Sequence, residues 1–283
     1  MVSFSDILPI ITLIYSDVIE PIFCLFYAYI LVRILLGKSS EFRSAFYKFS
    51  VATGVAAITN VLLNWTMRMV DVRFPVFYER AIFCNIDSWL SHLCALAISI
   101  GKTLSVATRF TAICFAHRRD LWEGRMVKIC LCAMWGIPFC LYAYFPFLPA
   151  SFGATPNGYG VYLGITNPGF LIAKAFATCG YFFFFGATIP MCFAALLRLR
   201  SQRISARLST GRHEKILGFY AVVLTTSHMI KSILQSIWFI ALIIAYKEMQ
   251  TAVIGLYLIP NTLSAFAEPV LLLVTSAKLR DEV

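Results

Sequence analysis

FLIAKAFATCGYFFFFGATIPMCFAALLRLR, residues 170–200, is the stretch on which the architecture turns. Between Phe170 and Leu197 its one charge is Lys174, and Arg198 and Arg200 close it. A helix that crosses bilayer hydrocarbon needs roughly 20 apolar residues, and this run exceeds that. The aromatics Tyr181–Phe185 do not alternate with polar residues, as strands of a membrane barrel must over segments of about 10 residues. The stretch reads as a transmembrane helix.

Working outward, six further stretches have the same character. With residues 170–197, the spans run roughly over residues 10–36, 45–65, 83–115, 127–148, 170–197, 216–246 and 251–275. The composition agrees: 60% of the 283 residues are apolar and 13% charged, with mean hydropathy +0.79. A soluble domain is typically about 45–50% apolar and about 25% charged. The expected fold is an all-α membrane protein, a bundle of seven transmembrane helices forming one domain over residues 1–283. The first span is not read as a cleavable signal, because no cation precedes it and its apolar run continues to Leu36.

The net charge of +10 is distributed asymmetrically. Placing alternate loops on opposite sides puts 17 of the 24 cations on one face, among them Arg33, Lys38, Arg43, Lys48, Arg109, Arg198, Arg203 and Arg207. The opposite face holds Arg68, Arg73, Arg80 and Lys247. Lys and Arg collect on the cytosolic side, so the amino terminus is expected outside and the carboxyl terminus in the cytosol. Nucleic acid is excluded as a partner, because cations spread over loops at headgroup level match anionic membrane lipid. The third inner loop carries six cations from Arg198 to Lys215 against Glu214. It can be read as headgroup contact or as a dock for an acidic cytosolic partner.

Cysteine spacing offers no metal site. Eight of nine cysteines lie in or beside apolar spans, where they behave as small hydrophobes. Cys84 stands near an outer helix end, and the outer loop from Pro149 to Asn167 has no cysteine to pair with it. Asn64-Trp65-Thr66 matches a glycosylation acceptor but falls close to the membrane surface.

Ionisable residues inside spans are costly and tend to pair. Lys102, Lys231 and Glu268 fall at similar depths when counted at about 1.5 Å per residue from the inner ends. A buried lock between the third, sixth and seventh helices is one reading; separately snorkelling lysines are the other. Nearer the outside, Asp87, His92, Lys174, Tyr181 and Trp238 are candidates for a ligand pocket, set against plain interfacial placement. Pro21, Pro138, Pro190, Pro260 and Pro269 are expected to kink their helices.

Thr108-Arg109-Phe110-Thr111-Ala112-Ile113 at the inner end of the third helix resembles the Asn-Arg-Phe-Thr-Ala-Ile type of sequence of nematode serpentine chemoreceptors. Pro21, Arg73-Phe74-Pro75 and the ending Thr275-Ser276-Ala277-Lys278-Leu279-Arg280 resemble the class V and class G branches. The resemblance implies a G-protein-coupled chemosensory receptor, without cofactor, in the plasma membrane of a sensory cilium. A small external ligand would be transduced to a heterotrimeric G protein. It implies that Arg109 faces the G protein, with Arg203 and Arg207 on the same coupling side. Asn60 would match the polar position of the second helix, and Glu268-Pro269 the Asn-Pro of rhodopsin-like receptors. The chain departs from the rhodopsin-like pattern in having no acid before Arg109, Leu272 where a tyrosine is expected, and no cysteine in the second outer loop.

The alternative is a multi-pass transporter or ligand-gated channel using the buried charges. Against it, the halves show no repeat. A retinal pump would need a lysine in the last span, which has none between Thr251 and Thr275. No nucleophile–base pair, metal motif or phosphate loop suggests an enzyme.

Overall fold

The computed structural model describes residues 14–73, 81–115, 117, 121–148, 151–155, 158–162, 168–206, 211–244, 247–275 and 279. Seven α-helices follow in chain order: α1 (Glu20–Leu36), α2 (Ala45–Arg73), α3 (Ala81–Cys114), α4 (Arg125–Tyr142), α5 (Pro168–Ala206), α6 (Gly211–Ile243) and α7 (Lys247–Thr275). Among the described residues, four stretches are long and apolar enough to cross a membrane: Ala45–Thr66, Asn85–Cys114, Arg125–Phe147 and Leu171–Ser201. Met229–Ile243 and Asn261–Val274 are shorter apolar segments.

Local chemistry sets several boundaries. Pro21 stands in the first turn of α1, where its missing N–H costs nothing, and a π-helical turn, Tyr15–Ile19, precedes it. Pro138 and Pro190 lie inside α4 and α5. Gly124 opens α4 at φ +54°, a left-handed conformation suited to glycine. With 39 residues, α5 is about 58 Å long and outruns the roughly 30 Å hydrocarbon core.

The loop expected from Pro149 to Asn167 contains structure that its apolar pattern did not reveal. Ser151–Thr155 (β1) and Gly158–Tyr162 (β2) pair antiparallel, Ser151 opposite Tyr162 and Thr155 opposite Gly158. Its glycines and short strands lack the long period-2 alternation by which a strand is recognised. Asn85 fixes the approach to this hairpin by donating to the carbonyls of Pro146 (3.2 Å) and Leu148. Tyr144 Oη–H donates to the Gly169 carbonyl where α5 starts.

The helices close into a ring in which α3 carries the most packing. That helix packs on α2, α4 and α5; α5 meets α6, α6 meets α7, and α7 returns to α2 and α1. Such packing explains why Leu93, Cys94, Leu96, Ala97, Ile98, Ser99, Ile100, Lys102 and Ser105 are all buried, leaving no lipid stripe over that length. On α5 the pattern inverts: Phe182, Phe183 and Phe193 face outward, Phe183 at 70% exposed. Apolar surface of this extent suits lipid, not water.

Two glycines let the backbones approach. A Cβ on Gly101 of α3 would fall 2.1 Å from Thr53 Oγ1 of α2 and 2.9 Å from Met134 Cε of α4. A Cβ on Gly54 would lie 2.8 Å from Leu31 of α1. Small residues at such crossings are what membrane helices use to pack closely. At the Arg109 end, Leu279 is buried with Ile30, Ile34, Phe42, Tyr47 and Leu272, on α1, the first loop, α2 and α7.

Candidate functional site

A polar seam runs down one side of α7. Thr262 Oγ1–H donates to Glu20 Oε1 of α1 at 2.5 Å. Asn261 Nδ2 donates to Asn60 Oδ1 of α2 at 3.2 Å, and Asn60 Nδ2 donates to the Ser91 carbonyl of α3 at 3.0 Å. Asn60 therefore joins three helices. Asn60→Ala is expected to destabilise the protein by about 1–3 kcal/mol, because both neighbours lose their bond inside a low-dielectric core. A fall in the detergent melting temperature relative to Leu62→Ala, whose side chain is exposed, measures this.

Asn64 donates to the Asn60 carbonyl at 2.7 Å from within α2, half-buried. The acceptor sequence Asn64-Trp65-Thr66 is thus continuous helix with its amide engaged, not a free glycosylation loop. Cys84 lies outside the described side chains, and the other eight cysteines are free thiols.

One turn beyond Asn261, Lys102 Nζ donates to Ser264 Oγ at 2.9 Å and to the Ser264 carbonyl. Glu268, one turn further along α7, is 0% exposed, and neither carboxylate oxygen has a hydrogen-bond partner. Lys102, Ser50 and Arg109 are its polar neighbours. Lys102 and Glu268 therefore meet through their fields, with Ser264 holding the ammonium. Lys231 is within electrostatic reach of Lys102, while its Nζ lies 5.1 Å from the ring centroid of Tyr181. Pro269 is buried beside Glu268.

Toward the Asp87 end, α3 to α6 bring a second set together. Lys174 Nζ sits 3.6 Å from the ring centroid of Trp238, a cation–π contact between α5 and α6. His92 lies within the field of Lys174. Its ring packs on Tyr142 at 5.6 Å and Phe145 at 5.0 Å. Nδ1 of His92 is 2.6 Å from the Ser88 carbonyl, so it carries the proton and Nε2 is left as an acceptor. That Nε2, the Tyr142 hydroxyl and Trp89 Nε1 are buried without hydrogen-bond partners.

His92, Lys174 and Trp238 thus converge, Tyr181 is an electrostatic neighbour of Tyr142 in the same set, and Asp87 does not join them. Asp87 stands five residues before His92, roughly 140° around the helix, with Cys94 as its electrostatic neighbour. Tyr142, Ser264, Asn261 and Glu20 were not singled out by sequence. Serine, tyrosine and asparagine are unremarkable in composition, and only the rotation of each helix shows which face they occupy.

At the other end, the Arg109 guanidinium lies 4.0 Å from the ring centroid of Phe46 at the start of α2. Trp122 anchors the following loop, donating to Thr111 Oγ1 at 2.5 Å and packing edge-on against Phe49. Arg203 stands on the helical extension of α5; its side chain, and Arg207 altogether, lie outside the described residues.

Among curated proteins nothing matches the chain. A profile of the Srg family chemoreceptors matches residues 10–283. The membrane helices and the near-complete span of that match lead to one assignment: this chain belongs to the Srg family, a family of chemoreceptors and not of enzymes.

Proposed function

We propose that the protein is a seven-transmembrane, G-protein-coupled receptor for a small external molecule, with its amino end outside and the Arg109 end in the cytosol of a sensory cell. The ligand site is the space among α3 to α6 around His92, Tyr142, Lys174, Tyr181 and Trp238. The observation that carries this reading is the group of buried polar atoms on His92, Tyr142 and Trp89 that find no partner within the protein. Buried polar groups ordinarily have partners, and a bound ligand supplies them.

The signalling path follows from the bundle. A ligand that binds one arrangement of α5 and α6 better than another shifts the population by that difference in affinity. Lys102 and Arg109 lie two turns apart on α3, and Glu268 of α7 lies in the field of both. Displacing α7 from α3 changes the field at Arg109, whose guanidinium can form charge-assisted bonds with carboxylate or carbonyl partners on the G protein. The cations of α5 beyond the lipid, Arg198 and Arg200, with Arg203 and Arg207, extend that cytosolic face toward a G protein.

The test is nucleotide exchange on a G protein in cells expressing the chain, with Arg109→Ala alongside. Agonist-dependent exchange is expected to fall at least about tenfold in Arg109→Ala, equivalent to about 1.4 kcal/mol of lost coupling, with ligand binding retained. A ligand-gated current that persists without any G protein sinks the reading in favour of a channel. Within the pocket, His92→Ala is expected to raise the half-maximal ligand concentration about tenfold. Asp87→Asn is expected to leave it unchanged, and dose–response curves at matched surface expression decide between them.

A further inference from the structure

A cavity of about 260 Å³ opens where α1 ends, lined by Arg33, Leu36, Gly37 and Lys38. Arg33 stands in the last turn, where a cation offsets the negative end of the helix. Its Nε is nevertheless buried without a hydrogen-bond partner. The Arg33 carbonyl is already taken by the Gly37 amide at 2.9 Å, and Gly37 then turns into extended backbone. Arg33 and Lys38, the second of them exposed, thus put two cations on the lining of one cavity. Glu41, on the next 3-10 turn, does not line it.

The surroundings say what can enter. Val32, Leu35 and Leu36 are exposed on the same end of α1, Leu36 at 76%. Apolar surface gives way to two cations within about one turn, the order a helix shows where acyl chains meet headgroups, and this rests on α1 crossing the membrane as proposed above. Pockets for drug-sized ligands run about 300–1,000 Å³, so this one is small for such a molecule. A phosphate with its solvent is a better fit, and an arginine fork matches phosphate oxygens.

We infer that the end of α1 is a binding site for one acidic glycerophospholipid, its headgroup phosphate held between Arg33 and Lys38 and its acyl chains lying on Val32, Leu35 and Leu36. The site is separate from the ligand space among α3 to α6 and does not depend on it. A headgroup with net negative charge is favoured over a zwitterionic one, because its additional anionic group is attracted by the two side chains.

The experiment uses the full chain purified in detergent. Short-chain phosphatidylserine, phosphatidylcholine with the same chains, and inorganic phosphate are titrated separately, with bound lipid counted by native mass spectrometry. Phosphatidylserine is expected to bind roughly tenfold tighter than phosphatidylcholine. Arg33→Gln with Lys38→Gln is expected to abolish that preference, whereas Arg125→Gln with Lys128→Gln, two exposed cations on α4, is expected to preserve it. Equal affinity for the two lipids, or a preference surviving in the double variant, overturns the site. Competition by inorganic phosphate as effective as that by the lipid overturns the role of the acyl chains. If the double variant does not fold, Lys38→Gln alone, with its exposed side chain, must still lower the preference, and an unchanged value overturns the inference.

Discussion

Lys102→Ala is expected to cost about 3–5 kcal/mol of stability, the penalty of leaving a buried charge without its counter-charge. Lys102 and Glu268 are 1% and 0% exposed, and neither Glu268 oxygen has a hydrogen-bond partner. Glu268 therefore relies first on the field of Lys102, with Ser50 and Arg109 adding to it, and removal of the ammonium also takes a donor from the Ser264 hydroxyl. Glu268→Gln removes a desolvated charge instead. It leaves the Lys102 ammonium with Ser264 alone, so it is expected to destabilise as well, by less than Lys102→Ala, and to recover much of the loss when the two are combined. A thermal-unfolding double-mutant cycle in detergent measures the coupling. Additive losses would show that Ser264, and not Glu268, is what Lys102 serves. Because Glu268 also lies in the field of Arg109, the proposed receptor should show raised ligand-independent signalling in Glu268→Gln.

Gly101→Ala should rank next. Its Cβ would stand 2.1 Å from Thr53 Oγ1, and Thr53 cannot easily turn away because its hydroxyl donates to the Phe49 carbonyl at 2.7 Å. Met134 blocks the other side at 2.9 Å. Overpacking of this kind costs about 1–3 kcal/mol, and the loss should fall at the top of that range because three helices meet at the site. Gly136→Ala, on α4 with nothing within 4 Å of its new methyl group, is expected to be neutral or slightly stabilising through helix propensity. Surface expression and melting temperature of the two variants provide the comparison. Equal behaviour would remove the close approach of α2, α3 and α4 as a feature of the fold.

These two sites show where reading a sequence stops being enough. Lys102 and Glu268 stand out in any apolar run because charge is expensive there, so their functional interest is legible without coordinates. Which group each one touches is not. A helix rotated by 100° presents a different residue, and Ser264 rather than Glu268 receives the hydrogen bonds of Lys102. The pocket residues repeat the lesson. Asp87 and Lys174 lie at one end of their helices and suggest opposite ligand charges, yet α3 turns Asp87 toward Cys94 while His92 shares the field of Lys174. Gly101 has no signal of its own, since glycine is common in membrane helices and only the approach of Thr53 makes it indispensable.

Length, apolar runs and the absence of alternation determined by themselves that this chain is a helical membrane protein, because bilayer thickness and backbone hydrogen bonding leave a helix little choice of composition. The residues around Arg109 carried the resemblance to chemoreceptors, and a family profile covering residues 10–283 agrees with it. Tertiary structure alone decided that α3 carries the most packing, that Asn60 ties α2 to α3 and α7, that His92 and Tyr142 carry unpartnered polar atoms, and that Arg33 lines a cavity. The physical reason is that insertion into lipid depends on composition summed along one helix. Contacts depend on the relative rotation and depth of several, which arise only when the helices pack.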